Sequence, residues 1–163
     1  MSSNTAPTPR TKILIGLFAG TLLAVAAVAI HQVWPLLHPT LIATAPLDPG
    51  CDLRQGPCRL AFDDGATVRL GIEPRSIPAA TPLDLSVAIT GLDTHAVEID
   101  FVGVDMNMGY NRAALTLESP GLYRGSGVLP VCVSARMHWE ARVLIHTPEG
   151  IRAAPFRFAI DRE

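Results

Sequence analysis

The chain has 163 residues, of which 48% are hydrophobic and 17% charged, and its formal net charge is −2. This length suits one compact domain with short additional segments and is too short for two large domains. Because the chain lacks a run of basic residues, it lacks the positive surface of nucleic-acid-binding proteins, and we exclude that function.

An apolar segment near the N-terminus is the first predicted element. Residues 13–30, ILIGLFAGTLLAVAAVAI, form a run of 18 residues without a charge, close to the ~20 that a helix needs to cross a bilayer. Arg10 and Lys12 precede the run, and the next basic residue is Arg54. The positive-inside rule then predicts a cytoplasmic segment at residues 1–12, a transmembrane helix at 13–30 and an exported remainder.

A cleaved signal peptide is the alternative interpretation of the same segment. Residues 27–29, Ala-Val-Ala, have the small-x-small form that signal peptidase accepts. The apolar run continues to Ile30, and Trp34 stands where an interfacial aromatic residue is expected, which favours a retained anchor. Residues 31–50 contain four prolines without a sustained period and are predicted to be a linker.

The three cysteines of an exported domain divide into a pair and a single residue. Cys51 and Cys58 flank a Gly-Pro turn in CDLRQGPC, and an oxidising compartment favours a disulfide between such neighbours. Their spacing is unlike the CxxC of redox motifs, so thiol–disulfide exchange is the weaker alternative. Cys132 is left as an odd thiol, which is buried, paired between chains, or reactive and metal-bound.

Alternation of apolar and polar residues dominates from residue 59 onward, with Pro and Gly at intervals of about ten residues. The predicted strands are residues 59–62, 67–72, 83–90, 96–102, 113–118, 122–129, 137–146 and 154–160. This pattern predicts an all-β domain at residues 51–163, an immunoglobulin-like β-sandwich of seven to eight strands. In the strand at 137–146, Met137 and Trp139 begin an apolar face directed at the core, and His138 and Glu140 begin a polar face directed at solvent.

Soft metal-binding side chains are concentrated in two nearby stretches. Apart from Met1, every methionine lies there: Met106 and Met108 in VDMNMGYN, and Met137 beside His138 in LPVCVSARMHW, which also contains Cys132. Alternation allows only one of Met137 and His138 to join a given site. We favour Met137, with His138 as the second choice.

Thioether and thiol ligands select Cu(I) and are poor ligands for Mg²⁺ or Ca²⁺. Zinc sites have closely spaced Cys and His residues, as in CxxC, which this chain lacks. The sequence therefore predicts a copper site formed by Met106, Met108, Cys132 and Met137. The alternative is that the methionines fill gaps in the core. Phosphate-binding loops, GxSxG and HExxH motifs are absent from the sequence, so we do not expect an enzyme.

The chain resembles the FixH/YtkA-like class of membrane-anchored bacterial proteins. The resemblance rests on the anchor, on VDMNMGYN, on GLYRGSGVLP and on MHWEARVLI, and it covers about residues 83–146. It implies a single-pass protein of the bacterial inner membrane with a copper-binding periplasmic domain, acting as a chaperone or assembly factor for a copper enzyme such as a cytochrome oxidase. Cys132 and the Cys51/Cys58 pair depart from that pattern. The alternative function is a structural or interaction module of a membrane complex without metal.

Overall fold

The computed structural model describes residues 9–37, 40–131 and 136–161. One α-helix, α1, spans Pro9–Leu37, and the strands follow it. In chain order they are β1 Leu41–Thr44, β2 Cys58–Ala61, β3 Thr67–Glu73, β4 Pro82–Thr90, β5 Ala96–Gly103, β6 Arg112–Ser119, β7 Leu122–Val128, β8 Arg136–Thr147 and β9 Gly150–Asp161. The prediction of a mostly β chain is confirmed.

Helix α1 covers the whole apolar run at residues 13–30 and belongs to a compact unit separate from the strands, which begin the second unit at Leu41. Its described apolar side chains are exposed within its own unit, as for Phe18 at 72% and Leu23 at 71%. The helical part of the prediction is confirmed. Among the described residues, however, no helix is both apolar enough and long enough to span a bilayer.

The strands form one sheet in the order β1-β9-β8-β5-β6-β7-β4-β3-β2. Neighbouring strands in this order run antiparallel to each other, except that β1 runs parallel to β9. Strand β6 pairs with β5 through Arg112–Leu115 and with β7 from Thr116 onward. Strand β6 therefore changes its pairing partner midway along its length, and the sheet curls at that point.

Curling brings the two halves of the sheet face to face around a shared core. A Cβ added at Gly127 in β7 would lie 3.0 Å from Leu85 Cδ1 and 3.1 Å from Phe101 Cε2. Leu85 lies on β4 and Phe101 on β5, in opposite halves of the sheet, and both are 1% exposed. Glycine at position 127 thus lets the halves approach closely, because an added side chain would require Leu85 and Phe101 to move.

All eight predicted strands are present, but the structure has a ninth, β1, inside the predicted linker at residues 31–50. The end of α1 at Leu37 also lies within that segment. Leu41 pairs with Ile151 at the edge of the sheet. Four residues are too few to show a period, so the sequence pattern could not reveal this strand. The compact β unit accordingly begins before the predicted boundary at Cys51.

The predicted disulfide is confirmed. Cys51 and Cys58 are bonded, with their Cα atoms 5.7 Å apart. Cys58 begins β2, and the intervening segment places Leu53 in the core at 1% exposure. The bond therefore closes a short, internally packed loop against the edge of the sheet.

The polar face of β8 differs from the solvent-exposed face that alternation predicted. Glu140 is only 8% exposed. Arg142 Nη2 donates to its Oε1 at 2.7 Å, and Arg157 Nε on β9 donates to its Oε2 at 3.0 Å. Burial alone raises the pKa of Glu140, but the hydrogen bonds and charges of the two arginines outweigh burial and lower the pKa below the ordinary value of 4.5. The two arginine side chains cover the carboxylate, and alternation cannot predict such covering.

We expect Glu140→Gln to destabilise the protein by about 1–2 kcal/mol at pH 7, because hydrogen bonds to a charged group are lost but both arginines stay partly hydrated. A depressed folded-state pKa means that the stabilisation is complete above the unfolded pKa near 4.5 and is lost as the pH falls through the folded value. Denaturant unfolding from pH 7 to pH 3 should therefore show the difference shrinking with acidity.

The matched control for this prediction is Glu118→Gln. Glu118 pairs with Arg124 at 2.6 Å, but both side chains are about half exposed, and such surface pairs contribute little. A destabilisation by Glu140→Gln that stays constant down to pH 3, or one no larger than that of Glu118→Gln, would contradict the assigned role of the Glu140 charge.

Candidate metal site

Two segments that are distant in sequence meet at one end of the sheet. Residues 104–111, here called the methionine loop, connect β5 to β6 and contain Met106 and Met108. Strand β8 begins at Arg136, and Met137 and His138 follow it. Because Gly103 at the end of β5 pairs with Trp139 on β8, the methionine loop starts beside the first residues of β8.

The surroundings of Gly103 show how closely the methionines approach one another. A Cβ at Gly103 would lie 2.5 Å from the carbonyl oxygen of Met106, 2.8 Å from Met137 Cε and 2.9 Å from Met108 Cγ. Met137 Cε and Met108 Cγ are therefore separated by no more than the sum of the last two distances. The structure thus brings three of the predicted ligand residues together over one glycine.

The three methionines differ in burial. Met137 is 2% exposed and belongs to the core, Met108 is half-buried and packs against the core, and Met106 is 39% exposed. The prediction that Met137 faces the core is confirmed. The cluster therefore extends from the protein interior to the surface of the loop.

His138 lies on the outer face of β8, as alternation predicted, and its side chain is 56% exposed. It contacts Asp105 of the methionine loop, because its backbone N–H donates to Asp105 Oδ2 at 3.0 Å and its ring Nδ1 lies 3.0 Å from the same oxygen. The N–H of Val104 donates to the carbonyl of His138 at 2.9 Å. His138 thus holds the loop from the face opposite Met137.

These contacts also affect the acidity of Asp105. The backbone hydrogen bond from His138, followed by the ring hydrogen bond and the ring charge, lowers the pKa of Asp105 below its ordinary value. Asp105 is therefore ionised at neutral pH. Because an ionised carboxylate only accepts hydrogen bonds, the Nδ1 atom of His138 carries the proton in this contact.

Cys132, the fourth predicted ligand, lies outside the described residues, and so does the rest of segment 132–135. In the described part of the chain, His, Cys, Asp and Glu side chains do not gather in groups of three or more that could hold a metal. A soft site among the described residues would therefore consist of thioethers. These fit Cu(I) and do not fit the oxygen-preferring cations.

Sequence reasoning missed two residues that shape this region, Gly103 and Asp105. Gly103 provides the space into which the methionine side chains fold, and Asp105 connects the loop to β8. The sequence signals were weak, since a glycine at the end of a strand and an aspartate in a loop are common turn residues. Their roles depend on β8, which follows more than thirty positions later.

We expect Gly103→Ala to destabilise the protein by about 1–3 kcal/mol, because the new methyl group meets a backbone oxygen that cannot rotate away. Gly56→Ala is the matched control, since a Cβ there has nothing within 4 Å and should change stability by less than about 0.5 kcal/mol. Denaturant unfolding of both variants measures the difference. Equal stability of the two variants would show that the methionines are not packed tightly over Gly103.

No protein-family model matches the chain, and no curated protein matches it. Among solved structures, the chain is similar to the crystal structure of a DUF4785 family protein from Legionella pneumophila, with 14% sequence identity and a TM-score of 0.41. The match covers 60% of this chain and spans 28% of the length of that protein. A similarity at this level carries no functional inference, and the resemblance to the FixH/YtkA-like class stays a prediction.

Proposed function

We propose that this protein binds copper, with Cu(I) favoured, and acts as a periplasmic chaperone or assembly factor for a copper enzyme such as a cytochrome oxidase. One observation supports this proposal above the others. The side chains of Met108 and Met137 and the backbone of Met106 meet over Gly103, although β5 and β8 lie far apart in the sequence.

The burial of the methionines suits a site that exchanges its metal. Met137 is enclosed by the core, whereas Met106 is 39% exposed and offers access from solvent or from a partner protein. Copper bound there would be held by neutral thioethers, which need no deprotonation and so retain metal in a mildly acidic compartment. The proposal keeps Cys132 as a fourth ligand on sequence grounds, where its thiolate would add a negative charge.

His138 does not join this proposed site. Its side chain leaves β8 on the face opposite Met137, and its Nδ1 atom is hydrogen-bonded to Asp105. The proposed ligand set is therefore Met106, Met108, Cys132 and Met137.

The proposal also keeps the sequence prediction of a single-pass inner-membrane protein with an immunoglobulin-like periplasmic domain. The 18 uncharged residues at 13–30 support membrane attachment through α1. Carbonate extraction of membranes that contain the full chain tests the attachment, because a retained anchor stays in the pellet. The mass of the purified protein then separates a retained anchor from cleavage after Ala29.

Copper binding is tested directly by titrating the reduced, full-length protein in mild detergent with Cu(I) in competition with a chromogenic Cu(I) chelator. We expect one copper ion per chain, with sulfur ligands at about 2.3 Å in X-ray absorption spectra, a typical metal–sulfur bond length. A protein that removes no Cu(I) from the chelator at any stoichiometry does not have the proposed function.

The second candidate function is a non-catalytic structural or interaction module without metal. The burial of Met137 favours it, because a side chain at 2% exposure beside the fully enclosed Trp139 also suits simple core packing. Under this alternative, Met137→Leu keeps the packing volume, costs less than about 1.5 kcal/mol of stability and leaves partner binding unchanged. Under the copper proposal, the same variant loses a sulfur ligand.

A further inference from the structure

The position of the methionine loop depends on a few contacts with β5 and β8. At its start, Val104 donates to the carbonyl of His138, and at its end the carbonyl of Asn111 accepts from the N–H of Phe101 at 2.9 Å. Within the loop, Asn107 Oδ1 accepts from the N–H of Gly109 at 2.8 Å. Gly109 has a φ of 74°, the left-handed conformation that lets the chain turn after Met108.

Asp105 adds a side-chain contact between the methionine loop and β8, next to Met106. It is the residue immediately before Met106, and a single oxygen, Oδ2, accepts from both the backbone N–H and the ring of His138. Two hydrogen bonds to one charged oxygen restrict the rotation of the loop about the end of β5 more than one bond would. They therefore act directly on the backbone that carries the Met106 carbonyl to Gly103.

His138 is suited to this role because of where β8 places it. Its neighbour Met137 points into the core, so a loop that is hydrogen-bonded to His138 lies beside the residue that carries the Met137 side chain. Hydrogen-bonding groups that support the ligands of a metal site commonly determine the orientation of those ligands without touching the metal. The Asp105–His138 pair has that relation to the three methionines.

We propose that Asp105 and His138 are positioning residues, which hold the methionine loop on β8 and thereby determine the distance of Met106 and Met108 from Met137. This inference rests on the proposed copper site for its functional consequence. The mechanical part of the inference is that Asp105 and His138 hold the methionine loop on β8. This part does not depend on whether the protein binds a metal.

The metal-free, full-length protein tests the mechanical part through hydrogen exchange. In Asp105→Ala, which removes both contacts with His138, we expect the amides of Val104 and His138 to exchange about tenfold faster. In Asp105→Asn the amide oxygen can still accept from His138, and exchange should stay near the wild-type rate. Asp63→Ala, at an exposed aspartate in the turn after β2, is the matched control. Unchanged exchange in Asp105→Ala overturns the inference.

Copper binding tests the positioning part. We expect Cu(I) affinity to fall about 10- to 100-fold in Asp105→Ala, the size of loss that supporting residues of metal sites commonly show, and to recover largely in Asp105→Asn. X-ray absorption should show fewer sulfur ligands in the alanine variant. His138→Ala keeps the backbone bond and should lie between these two variants.

Each result decides a separate question. Wild-type affinity and sulfur count in Asp105→Ala overturn the positioning role. Complete loss of copper from His138→Ala with unchanged amide exchange also overturns it, because His138 is then a ligand. If the wild-type protein binds no Cu(I), the proposed function fails, and the exchange rates alone decide whether the pair holds the loop.

Discussion

The Met106→Leu/Met108→Leu double variant is expected to lose most of its affinity for Cu(I). Leucine is similar in volume to methionine and preserves packing, but it removes the thioethers of two proposed ligands whose loop lies over Gly103. The loss should exceed the roughly 10- to 100-fold that supporting residues cause, because ligands themselves are removed. Chelator competition measures the affinity, and X-ray absorption should show two fewer sulfur ligands.

Controls for this variant separate chemistry from folding. Val104→Leu changes an exposed residue of the same loop without removing sulfur and should leave Cu(I) affinity unchanged. Denaturant unfolding should show that the double variant retains wild-type stability within about 1 kcal/mol. Wild-type affinity in a folded double variant would remove Met106 and Met108 from the proposed site.

Trp139→Ala is expected to reduce the free energy of unfolding by about 3–5 kcal/mol. The indole is 0% exposed, and truncation of a large buried aromatic side chain leaves a cavity that the surrounding core fills only in part. Unfolding followed by far-UV circular dichroism provides the measurement, because the substitution removes Trp139 and the remaining tryptophan, Trp34, lies in the helical unit.

Trp139→Phe should cost far less, by no more than about 1 kcal/mol. Among the described residues, Trp139 Nε1 has no hydrogen-bond partner, and an unsatisfied buried donor carries a penalty of about 1–3 kcal/mol. Phenylalanine removes this penalty while it fills much of the volume. Similar losses in Trp139→Phe and Trp139→Ala would show that Nε1 makes a hydrogen bond that Phe cannot replace. Trp34→Phe, in the helical unit, controls for tryptophan replacement itself.

Features governed by local chemistry were predictable. The alternation in β8 placed Met137 and Trp139 inside and His138 outside, and the structure confirms this arrangement. The short spacing of Cys51 and Cys58 predicted their disulfide. In each case the deciding interaction lies within a few residues of the chain, so that a short sequence window contains the information.

Features that depend on pairing between distant segments were not predictable. Strand β1 is defined by its pairing with β9, more than one hundred positions later. Glu140 is buried because Arg157 of the next strand and Arg142 cover it. The sequence placed Met106 and Met108 together in one short stretch, but it did not indicate that their loop lies beside Met137.

The sequence by itself determined the mostly β nature of the chain, the N-terminal helix, the disulfide and the restriction of its methionines, apart from Met1, to two short stretches. These follow from residue type and period, which do not require knowledge of neighbours in space. Only the tertiary structure decided that the two stretches meet over Gly103 and that Asp105 connects the methionine loop to His138. The physical reason is that antiparallel pairing of β5 with β8 sets those distances, and strand pairing is chosen by the packing of the whole sheet.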